Sequence, residues 1–169
     1  MSYSTPVLGF TAPSGTGKTT LMERVITQLS QSGIRVAAIK HGHHPADPDI
    51  PGKDTYRFRK AGAETVMFAS KDRWFMIQEL HNREEPNLAN QVDRLKDHDL
   101  ILVEGYKNDD HPKIVLHRAG TSDPMFYQKL TNVVALATDD PSLDVDIPLL
   151  PLSDPAQVAA FIKKLTDLG

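Results

Sequence analysis

Apolar positions along the chain fall into short continuous blocks separated by stretches with helical spacing. VLGFTA (7–12), RVAAIKH (35–41), LILVEGY (100–106), KIVLHR (113–118), VVALAT (133–138) and IPLLPL (147–152) read as strands. The unbroken apolar character of the first, third and fifth predicts strands buried on both faces, as in a parallel sheet covered by helices. Between them, Leu21, Met22, Val25, Ile26 and Leu29 recur on one helical face, and Gly33 is placed to end that helix. Leu88, Val92 and Leu95 mark a second helix leading into LILVEGY. Asp154-Pro155 is an N-cap and first-turn pair for a third, with Val158, Phe161, Ile162 and Leu165 on its apolar face. ETVMFAS (64–70) and RWFMIQEL (73–80), joined by Lys71-Asp72, read as an antiparallel hairpin added to the sheet. The pattern predicts one α/β domain over residues 1–169, a mostly parallel sheet flanked by helices.

Composition narrows the chemistry. The 169 residues carry a formal net charge of -3, which gives no global electrostatic reason to expect nucleic acid. The absence of cysteine removes disulfides, thiolate metal sites and cysteine nucleophiles, and it fits a reducing compartment. No signal-peptide pattern opens the sequence and no apolar run is long enough to span a membrane, so a cytoplasmic protein is expected.

The segment SGTGKTT (14–20) lies between a buried strand and a helix. Glycines there let backbone N–H groups turn inward around an anion, and the start of the helix adds partial positive charge. The expected roles are Lys18 on the β- and γ-phosphates and the Thr19 hydroxyl on Mg²⁺, with Ser14, Gly15, Thr16, Gly17 and Thr20 as further donors. The G-x-x-x-x-G-K-[ST] pattern has Ala12 in its first position. Such a loop needs an acidic residue at the end of a neighbouring buried strand. Glu104, after LILV and before Gly105, supplies it, whereas Asp99 lies at the other end of that strand. The fold expectation is therefore a P-loop NTPase-like domain binding a nucleoside triphosphate at the carboxyl edge of its sheet.

A second unusual segment, KHGHHPADPDIPGKDTYRFRKAGAE (40–64), follows the second strand. Three readings of it stay open. His41, His43 and His44 are a metal-ligating set, a solvated polar loop, or, with Lys40, Arg57 and Arg59, contacts to phosphates or another anion; Asp54, which starts a short basic helix, is counted with the cofactor-binding residues.

Together, SGTGKTTL, IKHGHH, PGKDTYRFRKAGA, LILVEGYK and KIVLHR resemble the MobB family of molybdopterin-guanine dinucleotide biosynthesis adaptors, over about residues 7–118. The resemblance implies a GTP-binding protein with Mg²⁺ and weak intrinsic GTPase activity. It further implies a homodimer that assists a MobA-type nucleotidyltransferase, with the pterin cofactor as a further partner. Carried over, nucleotide contacts fall on Ser14 to Thr20 and metal contacts on Thr19 and Glu104. Lys18 and Glu104 are the residues for any hydrolysis.

Guanine itself is not written in a motif. The place of an N-K-x-D segment is taken by ALATDDP (135–141), where either Asp139 or Asp140 is placed to touch the base. No glutamine offers itself to position an attacking water; Glu104, Asp54, Lys107 and Arg57 are the polar groups to consider. Trp74 and Phe75 are core or dimer-contact residues. A P-loop small-metabolite kinase, with the 43–60 loop as lid, is the competing reading.

Overall fold

A computed structural model describes residues 3–42, 46–121 and 123–168. His43 and His44 lie outside these, and with them that part of the histidine reading. Two compact units can be delineated, one formed by the chain up to His41 together with the chain from Asn87 onward, the other by Gly42–Pro86.

The first unit is built on six parallel strands: β1 (Val7–Thr11), β2 (Val36–Lys40), β5 (Leu100–Glu104), β6 (Lys113–His117), β7 (Val133–Thr138) and β8 (Leu149–Pro151). Their order is β2-β5-β1-β6-β7-β8. Alternation sorts the side chains onto two faces. Leu8, Phe10, Leu100, Leu102, Ile114, Leu116, Ala135 and Ala137 meet the buried face of α1 (Lys18–Gln31) and α4 (Pro155–Leu165). On the other face, Val7, Ala37, Ile101 and Val103 pack with Leu88 and Val92 of α3 (Leu88–Asp93), while Val115 and Leu136 pack with Tyr127 of a short 3₁₀ segment, Pro124–Lys129. Each fully buried Leu, Ile or Phe contributes about 1.5–3 kcal/mol to holding these layers together.

Helix ends follow the local chemistry. Gly33, at φ 83°, closes α1: its N–H donates to the Ser30 carbonyl, and the Ile34 N–H donates to that of Leu29. The Asp154 carboxylate caps α4 by accepting from Ala156 and Gln157 N–H. Leu165, assigned to the apolar face from its spacing, is the last helical residue and is 41% exposed. β8 is shorter than IPLLPL suggests. As the edge strand it tolerates Pro151, which could not donate in a central strand.

The second unit holds α2 (Asp54–Lys60) and the hairpin of β3 (Thr65–Ala69) and β4 (Trp74–Gln78). The hairpin forms its own two-stranded sheet and does not extend the larger one, whose edges are β2 and β8. Among the described residues its strands pair only with each other, and both belong to the excursion the chain makes between β2 and α3. Arg59, 5% exposed at its side chain, ties this unit together by donating to Asp47, Asp49 and Glu79 at 2.6, 3.2 and 2.5 Å. These carboxylates raise the Arg59 pKa further, and the Arg59 contact holds Asp47 below its ordinary value.

Candidate functional site

β1 ends where the glycine-rich loop begins, and the loop's shape follows from two backbone conformations. Gly15 and Gly17 have φ of 80° and 92°, in the left-handed region that a side chain disfavours. Ala12 is not among the residues with positive φ and packs against the core, so alanine meets the demands of that position without strain. The Thr16 hydroxyl donates to the Pro13 carbonyl at 2.9 Å and is buried. It closes the loop from within, leaving Thr16 only its backbone as a donor to a ligand.

Gly17 is the N-cap of α1 and brings no side-chain cap, and the first helical turn carries no acidic residue. The orphan N–H groups of this turn and the helix dipole therefore face the cleft beside the loop. That cleft, of about 370 Å³, is lined by residues 13–20 and Glu104. The sequence-predicted Ser14, Gly15, Thr16, Gly17, Lys18, Thr19, Thr20 and Glu104 thus come together in one place.

Glu104 ends β5, the strand beside β1, with Phe10 as its register partner. Its Oε1 lies 3.5 Å from the Lys18 ammonium and 3.1 Å from that of Lys40. Lys40 arrives because β2 pairs with β5 on the far side, placing Lys40 directly beside Glu104. Two cations on one carboxylate leave the cluster with a net positive charge, suited to a polyanion.

His41 follows β2 at the same sheet edge but does not line that cleft. Its N–H donates to the Glu104 carbonyl at 2.8 Å and its ring stacks on Tyr106 with centroids 4.4 Å apart. Gly105, at φ 103°, makes this possible, since a Cβ there would lie 2.6 Å from the His41 Cβ. His41 packs the exit of β5 and is not among the residues lining the phosphate-loop cleft. Among the described residues no group of three or more His, Cys, Asp or Glu could hold a metal ion. Asp54 and Arg57 belong to the second unit, where they pair with each other at 3.9 Å on an exposed helix face.

Arg118 had no role in the sequence reading. It follows β6, on the other flank of β1, and its Nε donates to the Thr16 carbonyl at 3.4 Å. The signal was a basic residue closing KIVLHR, but only the strand order brings it to the loop.

The family model described as "Molybdopterin guanine dinucleotide synthesis protein B" (MobB) matches residues 7–139. The molybdopterin-guanine dinucleotide biosynthesis adapter protein of Escherichia coli is 45% identical over 93% of this chain and 91% of its own length. That of Haemophilus influenzae is 41% identical over 96% and 90%. A crystal structure of molybdopterin-guanine biosynthesis protein B superposes with a TM-score of 0.77 at 25% identity, covering 95% of this chain and 99% of that one. The chain belongs to the MobB family. Among the described residues no helix is long and apolar enough to cross a membrane.

Proposed function

We propose that this MobB-family chain binds GTP with Mg²⁺ in the cleft beside the glycine-rich loop. In that state it serves as the accessory of a MobA-type nucleotidyltransferase during formation of molybdopterin guanine dinucleotide, in the cytoplasm. The observation carrying this reading is the meeting of Lys18 and Glu104 at the uncapped start of α1. The loop amides and Lys18 would take the phosphates. Thr19 and Glu104 are hard oxygen donors on the same cleft and fit a magnesium ion, which when bound neutralises phosphate charge. Binding the triphosphate would draw Lys18 from Glu104 and leave that carboxylate with Lys40 as its remaining cation.

Hydrolysis by the chain alone is slow in this reading. Glu104 faces two ammonium groups, and no glutamine is among the residues lining the cleft. The protein acts through its partner enzyme, which handles the pterin.

A homodimer is part of the proposal, and the second unit supports it. Met67, Trp74 and Met76 are 62, 67 and 42% exposed on a hairpin that, among the described residues, has no further strand beside it. An isolated two-stranded sheet is marginal in water, and an apolar surface of this kind calls for a cover. A second copy of the same hairpin supplies one by symmetry.

Calorimetric titration with GTP, with and without Mg²⁺, tests the nucleotide reading. The expected outcome is magnesium-dependent binding with turnover below about one per minute. Stoichiometric phosphate transfer to a pterin or another small acceptor would replace the adaptor with a kinase. Failure to capture a molybdenum-cofactor nucleotidyltransferase would remove the partner, and a monomer by light scattering would remove the dimer.

A further inference from the structure

A second cleft, of about 320 Å³, adjoins the phosphate cleft and shares Gly17 and Thr20 with it. Its remaining walls come from Leu21 and Arg24 on α1 and from the residues that follow three successive strands: Arg118 after β6, Asp139 after β7, and Leu152 and Ser153 after β8. The sheet order fixes its direction. Glu104 and Lys40 lie on the β5 and β2 side of the loop, and this cleft lies on the β6, β7 and β8 side. A triphosphate whose terminal phosphate faces Glu104 therefore has its nucleoside end directed across Gly17 and Thr20 into the second cleft. Its volume falls in the range of small-molecule sites, about 300–1,000 Å³.

We infer that this cleft holds the nucleoside base and that Asp139 is the residue that reads it as guanine, an assignment that rests on the nucleotide reading above. Two neighbouring aspartates follow β7, and their surroundings separate them. Asp140 is folded onto its own turn, its Oδ1 accepting from the Ser142 N–H at 3.0 Å and the Ser142 hydroxyl at 2.6 Å. Asp139 lines the cleft. Its Oδ1 is anchored by the Ala119 N–H at 2.8 Å, while its Oδ2 is only 3.5 Å from the Arg118 guanidinium, a long contact that a better donor displaces.

The donor count then selects the base. Guanine presents N1–H and the N2 amino group side by side, two donors for a carboxylate that can only accept. Adenine presents the unprotonated N1 at that place, which sets lone pair against anion. Leu152 adds an apolar wall, and the planar Arg118 guanidinium offers a stacking surface. This discrimination uses the carboxylate alone and no Asn-Lys pair.

The test is an affinity panel of GTP, ATP, xanthosine triphosphate and inorganic triphosphate, with Mg²⁺, on wild type and Asp139→Asn. Asparagine keeps an acceptor for Ala119 but replaces one acceptor by a donor, matching xanthine. GTP affinity should fall roughly 10- to 100-fold, xanthosine triphosphate should gain by a similar factor, and inorganic triphosphate should bind unchanged. Asp140→Asn should leave the panel as in wild type. Should Asp139→Asn fail to fold, Ser153→Trp fills the cleft from another element and should weaken GTP while sparing inorganic triphosphate. An unaltered GTP to xanthosine triphosphate ratio in Asp139→Asn, or full GTP affinity in Ser153→Trp, overturns the base assignment while leaving the phosphate cleft standing. A wild-type protein that binds none of the four overturns both readings.

Discussion

Two lysines of the sheet-bearing unit sit in opposite circumstances. Lys113, the first residue of β6, is fully buried, and its ammonium donates to the carbonyls of Asp109, His111 and Thr131 at 2.7, 2.8 and 3.0 Å. All three of its protons are spoken for by fixed backbone. Lys18, at the start of α1, faces Glu104 across 3.5 Å in a cleft that solvent enters. One charge is sealed into the architecture; the other is held by a partner that an anion can replace. The difference separates a lysine that holds the chain together from one available to a ligand, and chemical type alone does not reveal it.

Lys113 gives the largest expected effect. Lys113→Met keeps most of the volume but leaves three carbonyls without their donor, and should cost about 3–5 kcal/mol in a urea unfolding titration. A loss below about 1 kcal/mol would mean that water or a shifted chain satisfies those carbonyls. Lys18→Ala should do the reverse. Unfolding stability should stay close to wild type, while GTP affinity should fall at least about 100-fold, since several charge-assisted contacts to phosphate go at once. Unchanged affinity in that variant would remove the cleft from consideration.

A third test lies beside Lys113. His111 is fully buried, and neither ring nitrogen has a hydrogen-bond partner among the described residues. It fills the space over Gly9, where any Cβ would collide with the ring. Burial, and then the Lys113 ammonium, push its pKa down to about 4. Between that value and the ordinary histidine range near 6.5, the unfolded chain binds a proton that the folded protein refuses. Stability therefore falls as pH drops below about 6.5, by roughly 2 kcal/mol at pH 5 from this group. Urea titrations at pH 7.5 and 5 should show that slope in wild type and a shallower one in His111→Leu. Equal slopes would mean that the ring takes up its proton in the folded state.

The same contrast explains what could be read without coordinates. The loop from Ser14 to Thr20 was legible because its backbone geometry demands glycine at positions 15 and 17, and sequence records such demands. Glu104 was legible because a buried strand announces its end by its first polar residue. Lys40 was singled out, but its attachment to Glu104 depends on β2 lying beside β5, which follows from strand order and not from spacing. Arg118 was hidden for the same reason on the other flank. The hairpin was legible as a pair of strands, yet not as a separate sheet, because its alternation places apolar residues on both faces and names no neighbour. Trp74, left between core and interface by its spacing, is outside the core of its own chain at 67% exposure.

Lys40 provides the smallest and sharpest test, since it lies between the two extremes. Its ammonium is 3.1 Å from Glu104, closer than Lys18, yet its side chain is 67% exposed and it does not line the phosphate cleft. An exposed pair of this kind contributes under about 1 kcal/mol, so Lys40→Met should weaken GTP by only about 2- to 5-fold. The difference from wild type should shrink further in high salt, because exposed charges are screened. A loss equal to that of Lys18→Ala would instead place Lys40 directly on the phosphates. An increase in magnesium affinity without loss of GTP would make it a competitor for the Glu104 carboxylate. The salt titration distinguishes these from the expected result, since a desolvated phosphate contact resists screening that an exposed ion pair does not.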